Sequence, residues 1–220
     1  MTRAVVFDLW NTLAVWPEDA SARFRHRWSE SIGVPVERLD EHWYSDSVYA
    51  RRESGPIRAA IEALYVELGV ESDVEDALAS RLELTRRALA PVAGAVDTIA
   101  ELRRQGLRTG LISNCTEDVA LVWGETQFAP LFDVAIFSAT AGCMKPDRAI
   151  YELALRELGV AGSESLFVGD GANDELRGAR DVGMTPVLVQ LDGAEPPWSS
   201  VRDWQGLRVT AIPEVVDLVG

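Results

Sequence analysis

Two hydrophobic periods alternate along this chain, and that alternation constrains its fold more than any other feature. "LRTGLISN" (107–114), "FDVAIFSA" (132–139), "SLFVGD" (165–170) and "TPVLVQ" (185–190) are short apolar runs ending in polar or turn-forming residues. This is the pattern of strands buried on both faces. Between and before them, "AVDTIAELRRQG" (95–106), "DVALVWGETQF" (118–128), "DRAIYELALRELG" (147–159) and "DELRGARDVG" (174–183) carry helical spacing, several closed by glycine. Such alternation predicts an α/β fold, a doubly wound, Rossmann-like parallel sheet whose ligands sit outside the carboxyl ends of the strands. "AVVF" (4–7) joins the same sheet, and the stretch 191–206, with two adjacent prolines, reads as a loop before a last strand near "LRVTAI" and a terminal helix.

Residues 17–90 break the pattern. Four amphipathic stretches, "EDASARFRHRWSESIG", "VERLDEHWYSDSVYARRESG", "PIRAAIEALYVELG" and "SDVEDALASRLELTRRALA", follow one another with Gly or Pro between them and no strand. The chain therefore divides into an α/β core, residues 1–16 plus 91–220, and an inserted all-α helical domain, residues 17–90. "PVAGAV" (91–96) is the return hinge.

Charge narrows the partners. The chain of 220 residues carries 21 basic against 35 acidic residues, a net charge of −14. That balance argues against nucleic acid and anionic membranes and for high solubility, and any anionic substrate must be met by locally concentrated positive charge. Two cysteines, Cys115 and Cys143, and an N-terminus without a secretory pattern predict a reduced, cytoplasmic protein. No apolar run approaches the roughly 18 residues of a membrane span. Of the basic residues, 20 are arginine and the single lysine is Lys145, which marks a place where a compact ammonium is wanted rather than a planar guanidinium.

The predicted strand ends deliver Asp8, then Ser113 and Asn114, then Asp170 and Asp174 to one edge of the sheet, with Lys145 on a nearby loop. Three carboxylates in one partly desolvated cleft repel one another unless a cation shares the site. Hard oxygen ligands suit Mg²⁺. At this point the residues resemble the haloacid dehalogenase superfamily of hydrolases: "FDLWNTL" looks like its first motif, "LISN" its second, "MKPDRAIY" its third and "VGDGANDELRGARDVGM" its fourth. The helical insertion sits where that family places its cap domain.

The resemblance implies roles by position. Asp8 would be the nucleophile, forming a covalent intermediate. Ser113 would hold a transferring oxygen, with Asn114 beside it at the substrate, and Lys145 would neutralise the nucleophile. Asp8, Asp170 and the backbone carbonyl of Trp10 would bind Mg²⁺, and Asp174 would bind it directly or through water. The departure is Trp10, because phosphatases of the family carry there a second aspartate that protonates the leaving group. Indole does not, and general acid catalysis is typically worth about 10² to 10⁴-fold. Either the substrate has a good leaving group, or Thr12 or a residue of the insertion supplies the proton while Trp10 packs against substrate.

Three readings follow. The first is a Mg²⁺-dependent phosphatase-like hydrolase of a small anionic metabolite. The second is a 2-haloacid dehalogenase, which Trp10 and Tyr151 favour and Asp170 opposes. The third is a non-catalytic protein binding a ligand or partner. The exposed tryptophans of the insertion would serve a homodimer as readily as a substrate. His26 and His42 have no second nitrogen or sulfur donor at ligand spacing, and read as packing or surface residues.

Overall fold

The structure, a computed structural model, describes residues 1–45, 48, 51–52, 55–191 and 198–219. Strands β1 (Ala4–Phe7), β2 (Arg108–Ser113), β3 (Val134–Phe137), β4 (Ser165–Gly169), β5 (Thr185–Val189) and β6 (Leu207–Val209) form one sheet in the order β3-β2-β1-β4-β5-β6, every pair parallel. Each expected strand is present: β1 coincides with its apolar run, and the others stop one to three residues short of theirs at one or both ends. The terminal helix is a 3₁₀ turn over Ile212–Leu218. Of the loop expected over 191–206, residues 192–197 lie outside the described residues, as do 46–47, 49–50 and 53–54 of the second helical stretch.

Pleating sends alternate residues of β1 to opposite faces. Val5 and Phe7 join a core with Leu111, Val168 and Val187, beneath α5 (Ala95–Arg104) and α6 (Glu117–Val122). Ala4 and Val6 join the other core, with Ile112, Phe167 and Leu188, beneath α8 (Arg148–Leu158) and α9 (Glu175–Asp181). A short helix α7 (Ser138–Ala141) follows β3. Helices on both faces confirm the doubly wound core. Strand order reverses between β1 and β4, so the crevice beyond their carboxyl ends is the switch point of the sheet, and Asp8 and Asp170 are the residues that follow those two strands.

The helical insertion holds α1 (Glu18–Ile32), α2 (Val36–Trp43), α3 (Ile57–Leu68) and α4 (Glu75–Ala88), packed on a core of their own around Trp28, Trp43, Ile61 and Leu64. The chain leaves β1 through a tight flap in which the Asn11 N–H donates to the Ala14 carbonyl at 2.7 Å, and it returns where Ala14 bridges to Pro91. Two polar contacts, the first half-buried and the second buried, fasten the insertion to the core. The Ile57 N–H donates to Glu117 Oε2 at 2.9 Å. Arg81 Nε donates to Asp118 Oδ2 at 2.9 Å, and the hydroxyls of Thr85 and Thr116 donate to the same carboxylate. Asp118 is fully buried, so its charge depends on these three donors.

Replacing Arg81 with Ala is expected to lower the unfolding free energy by about 3 to 5 kcal/mol in a urea titration, the usual consequence of stranding one member of a buried ion pair. Arg81→Met combined with Asp118→Leu is expected to recover most of that loss, because no unpaired charge is then left behind.

Candidate active site

Asp8 leaves the end of β1 with its N–H donating to the Val168 carbonyl of β4 at 2.8 Å, which ties it to the strand that delivers Asp170. Lys145 arrives on the loop before α8, whose first turn is capped by the Asp147 side chain accepting from the Ala149 N–H at 3.1 Å. Its backbone is clamped by Asn114 at the end of β2. The Lys145 N–H donates to Asn114 Oδ1 at 2.8 Å, and Asn114 Nδ2 donates to the Lys145 carbonyl at 2.9 Å. This clamp sets the height of the ammonium above the sheet.

The sequence places Asp174 in the site, and the structure brings in Glu175 instead. Oxygens of Asp8, Asp170 and Glu175 lie within 4.8 Å of one another, all three side chains buried. Asp174 is exposed and pairs with Arg177 at 3.2 Å. The cause is the winding of the fourth-motif loop, where Gly171 (φ 88°), Asn173 (φ 51°) and Asp174 (φ 56°) are all left-handed, a conformation Gly, Asn and Asp tolerate best. Those turns rotate Asp174 outward and start α9 at Glu175, whose Oε1 accepts the Gly171 N–H at 3.0 Å. The Glu175 side chain lies across Gly169, where an added Cβ would stand 2.1 Å from Oε1, so only glycine fits.

One ammonium serves this group. Lys145 Nζ donates to Glu175 Oε2 at 2.6 Å and to Asp8 Oδ1, and is itself 3% exposed. Burial alone would lower the lysine pKa, but the two carboxylates outweigh it and hold the ammonium charged. Burial raises the Asp8 carboxyl, with Asp170 adding to the effect and Lys145 opposing it. Burial and Asp8 push Glu175 up to about 8, against the pull of Lys145. With all three carboxyls ionised, one ammonium leaves two excess negative charges, and the donor set is entirely oxygen. Both features fit a small divalent cation such as Mg²⁺.

The remaining expected residues fall in two places. Ser113 is fully buried at the end of β2, and its hydroxyl has no hydrogen-bond partner among the described residues. The Asn114 amide is spent on the Lys145 backbone. Thr12 is fully buried, its hydroxyl also without a partner among the described residues, and it is absent from the lining of the neighbouring cleft. That cleft, about 310 Å³, lies between the insertion and the core. Trp10 borders it, its ring edge-to-face with Trp16 at 5.2 Å. Trp43, Tyr44, Arg52 and Arg81 complete its aromatic and cationic wall. Arg52 lies 4.3 Å over the Trp43 ring, and Arg81 lies 4.8 Å over the Trp16 ring. Tyr151 takes no part in the cleft, because its hydroxyl donates to the Glu175 carbonyl at 2.9 Å and locks α8 to α9.

An aspartate-bearing strand end, a clamped lysine and two further buried carboxylates thus meet at the switch point of a doubly wound sheet. The haloacid dehalogenase-like hydrolase family matches residues 2–183, and the chain belongs to that family. It is 34% identical over 182 residues to the phosphoserine phosphatase of Thermus thermophilus, covering 77% of this chain and 72% of that protein. It is 31% identical over 134 residues to the glyceraldehyde 3-phosphate phosphatase of Methanothermobacter thermautotrophicus, covering 59% of this chain and 58% of the relative. The fold is shared with the 2-haloacid dehalogenase of Pseudomonas syringae at a TM-score of 0.71 and 22% identity, over 100% of this chain and 98% of that one.

The raised carboxyls set a pH dependence. Without divalent ions, the folded protein keeps a proton on the Asp8 and Glu175 pair that the unfolded chain has already released, so stability is expected to fall as pH rises from 4.5 to about 8. Lys145 is charged in both states over this window and adds no slope. Thermal melts in EDTA should show the fall, Glu175→Gln should flatten it, and saturating Mg²⁺ should remove it. A midpoint rising over the same range in EDTA would contradict the assignment.

Proposed function

We propose that this chain is a Mg²⁺-dependent, phosphatase-type hydrolase acting on a small phosphorylated metabolite with a good leaving group, with Asp8 as nucleophile. The carrying observation is the buried group of Asp8, Asp170 and Glu175 around a single ammonium. When bound, the ion supplies positive charge that neutralises the transferring phosphoryl oxygens.

Lys145 holds Asp8 Oδ1, which leaves Oδ2 to attack phosphorus as the bond to the leaving oxygen breaks and that oxygen departs with the electron pair. Water then attacks phosphorus of the aspartyl phosphate, freeing phosphate and restoring the carboxylate. The orphaned Ser113 hydroxyl is suited to donate to a phosphoryl oxygen throughout. Closure of the insertion over the core would exclude bulk water, and opening would admit substrate.

Trp10 shapes the choice of substrate. The ring that stands where an acid would be also walls a slot with Trp16, Trp43 and Tyr44, and this slot suits a planar leaving group that departs without a proton. Aryl and acyl phosphates are therefore expected to turn over about 10² to 10⁴ times faster than alkyl phosphates such as sugar phosphates, the range general acid catalysis would otherwise supply. Equal rates in a phosphate-release assay would mean that another acid serves the site. Asp8→Asn is expected to abolish turnover with an unchanged circular dichroism spectrum, and retained activity would refute the nucleophile.

A 2-haloacid dehalogenase is the second reading, and Trp10 favours it, since a departing halide needs no acid. EDTA separates the two. Loss of phosphate release on chelation supports the first, whereas chloride release from 2-chloropropionate in EDTA supports the second.

A further inference from the structure

Asp170 differs from its two neighbours in one respect. Lys145 bridges Asp8 and Glu175, whereas the partners of Asp170 among the described residues are all neutral N–H donors. The Ala172 N–H donates to Oδ1 at 2.9 Å. Oδ2 accepts from Asn11 Nδ2 at 3.2 Å and from the indole Nε1 of Trp198 at 2.9 Å. A carboxylate oxygen offers about two lone-pair sites. Oδ2 is therefore filled, and Oδ1 keeps one site open.

Trp198 comes from a distant part of the chain, the connection between β5 and β6, and the residues after it strap down the loop that carries Asp170. Ser200 Oγ donates to the Gly171 carbonyl at 3.2 Å. Val201, buried, lies so close over Gly171 that a Cβ there would stand 2.5 Å from its Cγ1. The strap fixes the Gly171 end of the loop, and the indole separately holds the carboxylate.

Resting on the divalent-ion reading above, we propose that Trp198 is a positioning residue of the metal site. Together with Asn11 it saturates Oδ2 of Asp170, turns Oδ1 toward the ion and makes Asp170 a one-atom ligand. A single oxygen from each carboxylate matches a small cation that keeps several waters, whereas a two-oxygen bite suits a larger one. Hydrogen bonds that orient a ligating carboxylate typically change metal affinity by about 10 to 100-fold.

Isothermal titration calorimetry of Mg²⁺ into the substrate-free protein tests this directly. Trp198→Phe keeps the ring and removes the N–H, and is expected to raise the Mg²⁺ dissociation constant at least about tenfold. Asn11→Gly, which keeps the left-handed backbone of residue 11 (φ 57°) and removes the other donor, should weaken binding in the same direction. Ser200→Ala loosens the strap without touching Asp170, and should leave the constant within about twofold of the native value, well inside the effect expected of a lost second-shell donor. Native-like affinity in Trp198→Phe, or an equal loss in Ser200→Ala, overturns the role of the indole. An absence of Mg²⁺ binding by the native protein overturns the metal reading itself, and the proposal with it.

Discussion

The structure depends on one ammonium shared by two buried carboxylates. Lys145 is the only lysine of the chain, and it stands between Asp8 and Glu175 with a third carboxylate, Asp170, in the same group. A guanidinium would spread its charge over a planar fork too broad for this gap, whereas an ammonium delivers it at a point. The reciprocal Asn114 clamp fixes where that point lies, so the end of β2 acts on the reaction through the backbone of another loop. What Lys145 cannot neutralise defines the chemistry of the site. In the proposed reading, that excess charge is met by a divalent ion acting on a phosphorylated substrate.

The fold was legible because it is written in periods. Buried parallel strands are continuous apolar runs, helices repeat at 3.6, and the two alternate with little ambiguity, so all six strands and the helical insertion can be read from residue type. Asp8, Ser113 and Asp170 were legible for a related reason, since in a doubly wound sheet strand ends converge on the switch point whatever the loops do, whereas Lys145, on a loop, stood out as the single lysine. The structure brings Asp8, Lys145 and Asp170 into one group and leaves Ser113 as an orphaned hydroxyl at the neighbouring strand end.

Other features were not legible, each for a physical cause. Choosing between Asp174 and Glu175 requires the phase of a loop, which hangs on three left-handed residues in a row of four and on the bare Cα of Gly169 beneath the glutamate. "GANDE" does signal left-handed turns, but not how far they rotate the chain. Trp198 lies 28 residues from its partner Asp170 in a stretch with no period at all. Asn114 has the right address at the strand end, yet its amide works on a backbone, a role that residue type does not announce. Trp10 shows the opposite case, since its departure from the family pattern is plain in the sequence and the structure adds the aromatic cleft that it borders.

The most direct test of the central claim is anomalous scattering from Mn²⁺ in a crystal of the protein, Mn²⁺ standing in for Mg²⁺. One strong peak is expected among the carboxylates, within metal–oxygen bonding distance of an oxygen of Asp8 and of Asp170 Oδ1. A peak on the exposed Asp174 side of the loop, or no peak at all under saturating Mn²⁺, would contradict it.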